Sequence, residues 1–151
     1  LSLVGSEMCI RDSSHTPDSL ENILMAVRGF CTGRIIAVFG CGGDRDPFKR
    51  PVMGKIAAEL SDLAIVTSDN PRTEDPYKIL RQILAGMQDT ETPYEVIESR
   101  VSAIGRAMEL AQKDDVIVLC GKGHETYQEV GHEKHHLDER EVVASYLEAN
   151  A

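Results

Sequence analysis

The chain has 151 residues, of which 42% are hydrophobic, 27% charged and 5% aromatic. This length suits one globular domain with a single buried core, and the apolar fraction excludes a disordered chain. The formal net charge of −9 disfavours a nucleic-acid partner. No apolar run approaches the ~18–20 residues that a membrane span needs. The four cysteines form no CxxC pair, which is typical of free thiols in the reducing cytoplasm.

The first thirteen residues, LSLVGSEMCIRDS, differ from the rest of the chain. They have neither a helical nor an alternating period. They are similar to a translated sequencing adapter joined to a truncated gene, which predicts a foreign or disordered leader over residues 1–13 and a domain over residues 14–151. An ordinary flexible N-terminus is the alternative.

Helices and strands alternate from residue 16 onward. Thr16 and Pro17 are typical of an N-cap and a first helical residue, and that helix should end near Gly29. Short apolar runs predict strands over residues 34–39, 63–67, 94–97 and 115–120. Further helices are expected after Pro51, over residues 76–87 and 101–112, and from a cap at Asp138 to about residue 148.

This alternation predicts a Rossmann-like α/β domain. Strands joined by helices of this length form right-handed crossovers, so the sheet should be mostly parallel with helices on both faces. The segment 129–136 follows a short loop rather than a helix. We therefore expect it to be an antiparallel strand at the edge of the sheet.

Three polar loops leave the carboxyl ends of predicted strands, at residues 40–46, 68–72 and 121–125. Ligands of open α/β sheets bind at that edge, so these loops predict the site. The first loop has Asp44 where a GxGxxG fingerprint needs its third glycine, which disfavours nicotinamide or flavin. The pattern GxxxxGK(S/T) does not occur in the chain, so ATP chemistry would need another domain.

Two of the candidate ligand-binding groups contain an arginine. Arg50, at the start of a predicted helix, is suited to a carboxylate, or else it pairs with Asp44 or Asp46. The run from Asp69 to Arg72 places an acceptor, an amide and a guanidinium around a proline. Such a set suits a ligand with an amine and a carboxylate, although an Asx-turn with an exposed arginine explains it equally well.

The third loop and the histidines after it are less informative. Glu125 offers a carboxylate to an amine, while Lys122 and His124 suit a phosphate or a proton. His132, His135 and His136 resemble metal ligands in type, but adjacent strand residues face opposite ways, which favours a solvated edge. We expect neither a metal site nor a catalytic residue in this chain.

Four segments, read in order, sharpen the interpretation: HTPDSLENIL, VFGCGGDRDPFKRPVMG, SDNPRTEDP and CGKGHETYQ. Together they resemble the C-terminal domain of the Mur ligases, and the DNPR form resembles the branch that adds meso-diaminopimelate in peptidoglycan synthesis. The resemblance covers residues 15–148. It implies an ATP-dependent ligase that forms an amide bond between this amino acid and a UDP-linked muramoyl dipeptide.

The resemblance also implies roles for individual residues. The acceptor amino acid would be held by Arg50, Asp69, Asn70, Pro71, Arg72, Gly121 and Glu125. Contacts on the ATP side would come from His15, Asp44 and Arg45. ATP and Mg²⁺ would be bound mainly by a central domain that this chain lacks, so the chain alone should be inactive. It would orient the acceptor rather than activate the carboxylate.

Two alternatives stay open. One is a stand-alone binding module for a diamino dicarboxylic acid, without catalysis. The other is the C-terminal domain of a folylpolyglutamate-type ligase. Its glutamate acceptor has one ammonium fewer, which would leave the carboxylate of Glu125 without a purpose.

Overall fold

A computed structural model describes residues 2–4 and 7–150 of the chain. Its elements follow one another in this order: β1 (Ser2–Val4), β2 (Glu7–Asp12), α1 (Pro17–Arg28), β3 (Ile35–Phe39), α2 (Lys49–Leu60), β4 (Leu63–Val66), α3 (Pro76–Ala85), β5 (Tyr94–Val96), α4 (Arg100–Leu110), β6 (Val116–Cys120), β7 (Tyr127–Val130), β8 (Glu133–His136) and α5 (Glu139–Ala149). Among the described residues, no helix combines the length and apolar character needed to cross a membrane.

The main sheet has the strand order β1-β2-β6-β3-β4-β5. The pairings from β2 to β5 are all parallel, and only β1 runs antiparallel to its neighbour. Every residue of β3, β4 and β6 is buried. Their continuous apolar runs suit strands covered on both faces, as parallel strands are. The prediction of a Rossmann-like, mostly parallel sheet is confirmed.

The two faces of the sheet carry separate hydrophobic cores. On one face, Ala37 and Phe39 of β3 pack in a core with residues of α1, α2 and α3. On the other, Ile36 and Val38 pack in a core with residues of α4 and α5. This division follows from the alternation of side chains along a strand. The strand ends are consequently the part of the sheet left free for a ligand.

The helix starts follow their caps where the sequence contains one. Thr16 accepts a hydrogen bond from the Ser19 amide, and α1 begins at Pro17 as predicted. The second helix begins at Lys49, ahead of the predicted start after Pro51. Phe48 occupies its N-cap position without a side-chain hydrogen bond, so no capping residue marks this start in the sequence.

The antiparallel elements differ in place from the expectation. Residues 127–136 form the hairpin β7–β8, a separate two-stranded sheet. The antiparallel strand at the edge of the main sheet is β1, rather than the segment 129–136. Gly131 adopts a φ of 62° between the two hairpin strands, where glycine fits without strain.

The predicted leader also differs. Residues 7–12 form β2, which pairs in parallel with β6, with Cys9 opposite Ile117. They are therefore part of the sheet and not disordered. Residues 1, 5 and 6 of the predicted leader lie outside the described residues, and its foreign origin stays a prediction.

Candidate functional site

A cavity of about 360 Å³ lies at the carboxyl ends of the central strands. This volume is within the range of about 300–1,000 Å³ typical of small-molecule sites. The chain leaves β3 toward β4 and β5 on one side and returns to β6 on the other, and such a switch point is where α/β sheets bind ligands. The lining residues are His15, Gly40, Cys41, Gly42, Arg45, Lys49, Met53, Asp69, Asn70, Arg72 and Glu125.

The glycines of the first loop allow it to contact the second. The Gly43 amide donates to the Asn70 carbonyl at 2.7 Å. A Cβ atom on Gly43 would lie 1.8 Å from the Pro71 carbonyl oxygen, and one on Gly40 would lie 2.1 Å from the Thr67 carbonyl oxygen. The space beside these glycines is thus filled by the second loop.

Arg72 has an unusual backbone conformation, with a φ of 51°. The hairpin holds it there, because the Arg72 amide donates to the Glu129 carbonyl at 3.0 Å and the Gly131 amide donates to the Arg72 carbonyl at 2.6 Å. Arg72 Nε lies 2.9 Å from Glu129 Oε2, and Nη1 donates to the Gly43 carbonyl at 3.0 Å. Its side chain remains 21% exposed at the cavity.

Asp69 and Asn70 form the floor between the second and third loops. Asn70 Oδ1 accepts from the Glu129 amide at 2.9 Å and from Lys122 Nζ. Its Nδ2 group donates to Glu125 Oε1 at 3.4 Å. Because both neighbours of Oδ1 are donors only, the amide has one consistent orientation. Asn70 therefore presents a donor toward Glu125. The sequence had instead predicted that its side-chain carbonyl would bind an ammonium group.

The third loop bends around its two glycines. Gly121 and Gly123 have φ values of 115° and 54°, which few other residues adopt. Glu125 lines the cavity and its side chain is 30% exposed. Gly121 lies beside Asp69 without lining the cavity itself, and Pro71 also lies outside the lining. Of the seven predicted acceptor-binding residues, the structure therefore brings Asp69, Asn70, Arg72 and Glu125 to the cavity.

Arg50 is placed differently from the expectation. It is fully buried behind the cavity wall, where its guanidinium donates to Glu74 at 2.7 and 3.0 Å. It also donates to Gln82 Oε1 at 2.6 Å and to the Gly42 carbonyl at 2.8 Å. Its guanidinium is therefore not available to a ligand carboxylate. It pairs with Glu74 and not with Asp44 or Asp46, the alternative partners predicted from the sequence. Arg50 lies at the start of a helix as expected. Its partner Glu74, however, belongs to a loop 24 residues further along the chain.

The residues predicted on the ATP side separate into two groups. His15 and Arg45 line the same cavity as Arg72, whereas Asp44 does not. The Asp44 carboxylate accepts from the Thr73 hydroxyl at 2.7 Å, and this hydrogen bond lowers the pKa of Asp44. Arg45 is exposed, and its Nη1 donates to the Asp44 carbonyl at 3.0 Å. The cavity is also lined by three residues that were not predicted as site residues from the sequence: Lys49, Cys41 and Met53.

The cavity carries both signs of charge. Arg45, Lys49 and Arg72 contribute cations, and Asp69 and Glu125 contribute carboxylates. Cys41 adds a neutral thiol, because burial raises its pKa to about 12. Guanidinium groups bind carboxylates through paired hydrogen bonds, and carboxylates bind ammonium groups. The arrangement therefore suits a small zwitterion with several charged groups.

The Arg50–Glu74 pair predicts a pH effect on stability. Hydrogen bonds from Arg50 lower the pKa of Glu74 from 4.5 to about 2. Glu74 thus stabilises the folded chain fully above pH 4.5, and this contribution is lost as the pH falls toward 2. In Arg50→Met, the free energy of unfolding should be lower at pH 7 and should fall less between pH 5 and 3, as measured by urea denaturation.

Lys78→Met is the matched control, since Lys78 Nζ lies 3.9 Å from the same carboxylate but is largely exposed. It should keep the slope of the unmodified chain. Parallel pH profiles for Arg50→Met and the unmodified chain would contradict the assignment.

The fold and the cavity define an α/β domain with a charged cavity at a switch point of its sheet. The sequence profile of the family described as "Mur ligase, glutamate ligase domain" matches residues 2–123. The chain belongs to this family. A relative from Trichormus variabilis is 64% identical over 138 residues, and one from Clostridioides difficile is 54% identical over 138 residues. Both are named UDP-N-acetylmuramoyl-L-alanyl-D-glutamate--2,6-diaminopimelate ligase.

These alignments cover 91% of this chain and 28% of each relative, so the chain spans less than a third of their length. A solved structure of a ligase with the same name superposes with a TM-score of 0.94 at 38% identity, over 99% of this chain and 31% of that one. E. coli FolC in complex with ADP superposes with a TM-score of 0.57 at 20% identity, over 98% of this chain and 30% of that one. This second likeness concerns the fold alone.

Proposed function

We propose that the chain is the acceptor-binding portion of an ATP-dependent ligase that adds meso-diaminopimelate to UDP-N-acetylmuramoyl-L-alanyl-D-glutamate. The observation that carries the proposal is the cavity in which Arg45 and Arg72 face Asp69 and Glu125. Diaminopimelate has two carboxylates and two amines, and this cavity offers groups of both kinds. The names of the relatives support the same substrate.

Each lining group has a chemical task in this proposal. Arg72 and the Nδ2 group of Asn70 bind one carboxylate, and Glu125 binds the neighbouring ammonium. Arg45 binds the other carboxylate, the role that the sequence predicted for Arg50. Arg50 is instead buried behind the cavity wall, where it pairs with Glu74. Fixing the amino acid in this way presents its other amine to the activated carboxylate, and such orientation supplies up to about 7–11 kcal/mol of a barrier.

ATP and Mg²⁺ belong, in this proposal, to the part of the ligase outside the chain. The sequence lacks GxxxxGK(S/T), and the glycine loop is filled by residues 67–71 rather than open to phosphates. When bound there, ATP would transfer its γ-phosphoryl group to the glutamyl carboxylate, which would give an acyl phosphate and ADP, and Mg²⁺ would stabilise the phosphate charge. The chain alone is therefore expected to form no amide bond. We place it, with the whole ligase, in the cytoplasm, because its four cysteines are free thiols.

Calorimetric titration of the 151-residue chain tests the proposal. meso-Diaminopimelate should bind at least about tenfold more tightly than L-lysine, which lacks one carboxylate, or L-glutamate, which lacks one amine. Glutamate binding as tightly would favour the folylpolyglutamate-type alternative. No saturable heat with any of the three would contradict the proposal. Amide formation regained when the other ligase domains are added separately would exclude a stand-alone binding module.

A further inference from the structure

We propose that Lys122 determines the ligand selectivity of the cavity by acting as a buried cation behind its acidic wall, which is formed by the carboxylates of Asp69 and Glu125. The inference rests on the proposed function, since it concerns the choice between ligands with one and two carboxylates. Lys122 does not line the cavity, so it is a positioning residue that acts through the side chains it touches.

Lys122 is buried, with 1% of its surface exposed. Its two neighbours, Gly121 and Gly123, have positive φ values that turn the loop so that the lysine side chain points inward. A lysine is seldom buried to this degree unless its charge is compensated. Among the described residues, the groups that compensate this charge all line the cavity.

Three cavity side chains surround the ammonium. Lys122 Nζ lies 3.1 Å from Asp69 Oδ1 and 3.6 Å from Glu125 Oε1, and it donates to Asn70 Oδ1. Asp69 Oδ1 is buried and makes no aligned hydrogen bond among the described residues, so its contact with Lys122 is mainly electrostatic. Another neighbour of Asp69 is the imidazole of His15, whose Nδ1 lies 3.9 Å from Oδ2.

The charge balance of this wall depends on Lys122. With the lysine, one ammonium opposes the carboxylates of Asp69 and Glu125, which leaves a single negative charge for the ligand's ammonium. Lys122 also occupies Asn70 Oδ1, so that only the Nδ2 donor is available near Glu125. Without the lysine, the wall would carry two negative charges and would repel a ligand carboxylate.

This balance predicts how selectivity changes with charge. Diaminopimelate has one more carboxylate than lysine, so a more negative wall disfavours diaminopimelate relative to lysine. Lys122→Met should lower the ratio of the lysine Kd to the diaminopimelate Kd about tenfold. Asp69→Asn makes the wall less negative and should raise the ratio. The double variant restores the charge balance and should give a ratio between the two.

The experiment is calorimetric titration of each variant with meso-diaminopimelate and L-lysine. Lys55→Met is the matched control, because Lys55 is exposed on α2 and pairs only loosely with Glu59 at 4.0 Å. Its ratio should equal that of the unmodified chain. If Lys122→Met does not fold, the opposite prediction for Asp69→Asn and the intermediate ratio of the double variant still decide the question. Equal losses for both ligands in Lys122→Met would overturn the proposal, because they indicate a merely structural lysine.

A ligand-free measurement separates this proposal from the proposed function. The side-chain amide signal of Asn70 in a ¹⁵N NMR spectrum should move in Lys122→Met and stay in place in Lys55→Met. An unmoved signal would overturn the assigned contact. A moved signal in a chain that binds neither amino acid would support the contact with Lys122 and overturn the proposed function, and with it the role in selectivity.

Discussion

Replacing Arg72 with methionine is expected to weaken the binding of meso-diaminopimelate about a hundredfold, because the ligand's carboxylate loses a paired, charged hydrogen-bond donor. Arg72 suits this role better than Arg50, since its side chain is 21% exposed at the cavity whereas that of Arg50 is 1% exposed. The dissociation constant from calorimetry is the measurement.

The fold should survive this change. Methionine loses the partly exposed pair with Glu129, but it retains the main-chain amide and carbonyl that attach the hairpin to residue 72. Arg81→Met provides the control, because Arg81 is an exposed arginine on α3. It should leave the dissociation constant unchanged. An Arg72→Met variant that binds within about twofold of the unmodified chain would remove Arg72 from the proposed site.

Arg100→Met is expected to lower the free energy of unfolding by about 3–5 kcal/mol, because it leaves a buried carboxylate without its counter-charge. Arg100 and Glu139 are both fully buried, with Nε 2.9 Å from Oε2. Arg100 also donates to the carbonyls of Ser68 at 3.2 Å and Cys120 at 2.9 Å. Ser68 is the first residue of the second loop and Cys120 precedes the third, so the pair ties α4 and α5 to the base of the site.

Urea denaturation followed by circular dichroism measures this loss. Arg106→Met is the matched control, because its pair with Glu95 is 35% exposed on both sides and should contribute much less to stability. The double variant Arg100→Met/Glu139→Leu removes both charges and should recover much of the stability. Equal losses for Arg100→Met and Arg106→Met would contradict a buried, mutually dependent pair.

Local patterns were sufficient to predict the layers of this fold. The apolar runs of β3, β4 and β6 predicted buried parallel strands, and Thr16 and Asp138 marked the starts of α1 and α5. Those features depend on neighbours in sequence. The three polar loops could be placed at one edge of the sheet for the same reason, since the carboxyl ends of parallel strands share that edge.

Features that depend on distant partners were not predictable in this way. Arg50 looks available in the sequence, and only the fold brings Glu74 against it, 24 residues away. The partner of Arg100 lies 39 residues further along the chain. Residues 7–12 have no clear period, because pairing with β6 rather than a local pattern makes them a strand. The hairpin likewise pairs with itself and contacts the main domain through Arg72.

The most direct test of the account is a titration of the ¹⁵N-labelled chain with meso-diaminopimelate, followed by the backbone amide signals in NMR spectra. The proposed site predicts saturable shifts at Asn70, Arg72, Gly121 and Glu125, the residues around the cavity at the strand ends. Shifts confined to the groove between α4 and α5, which Val142 and Tyr146 help to line, or no saturable shift at all, would contradict it.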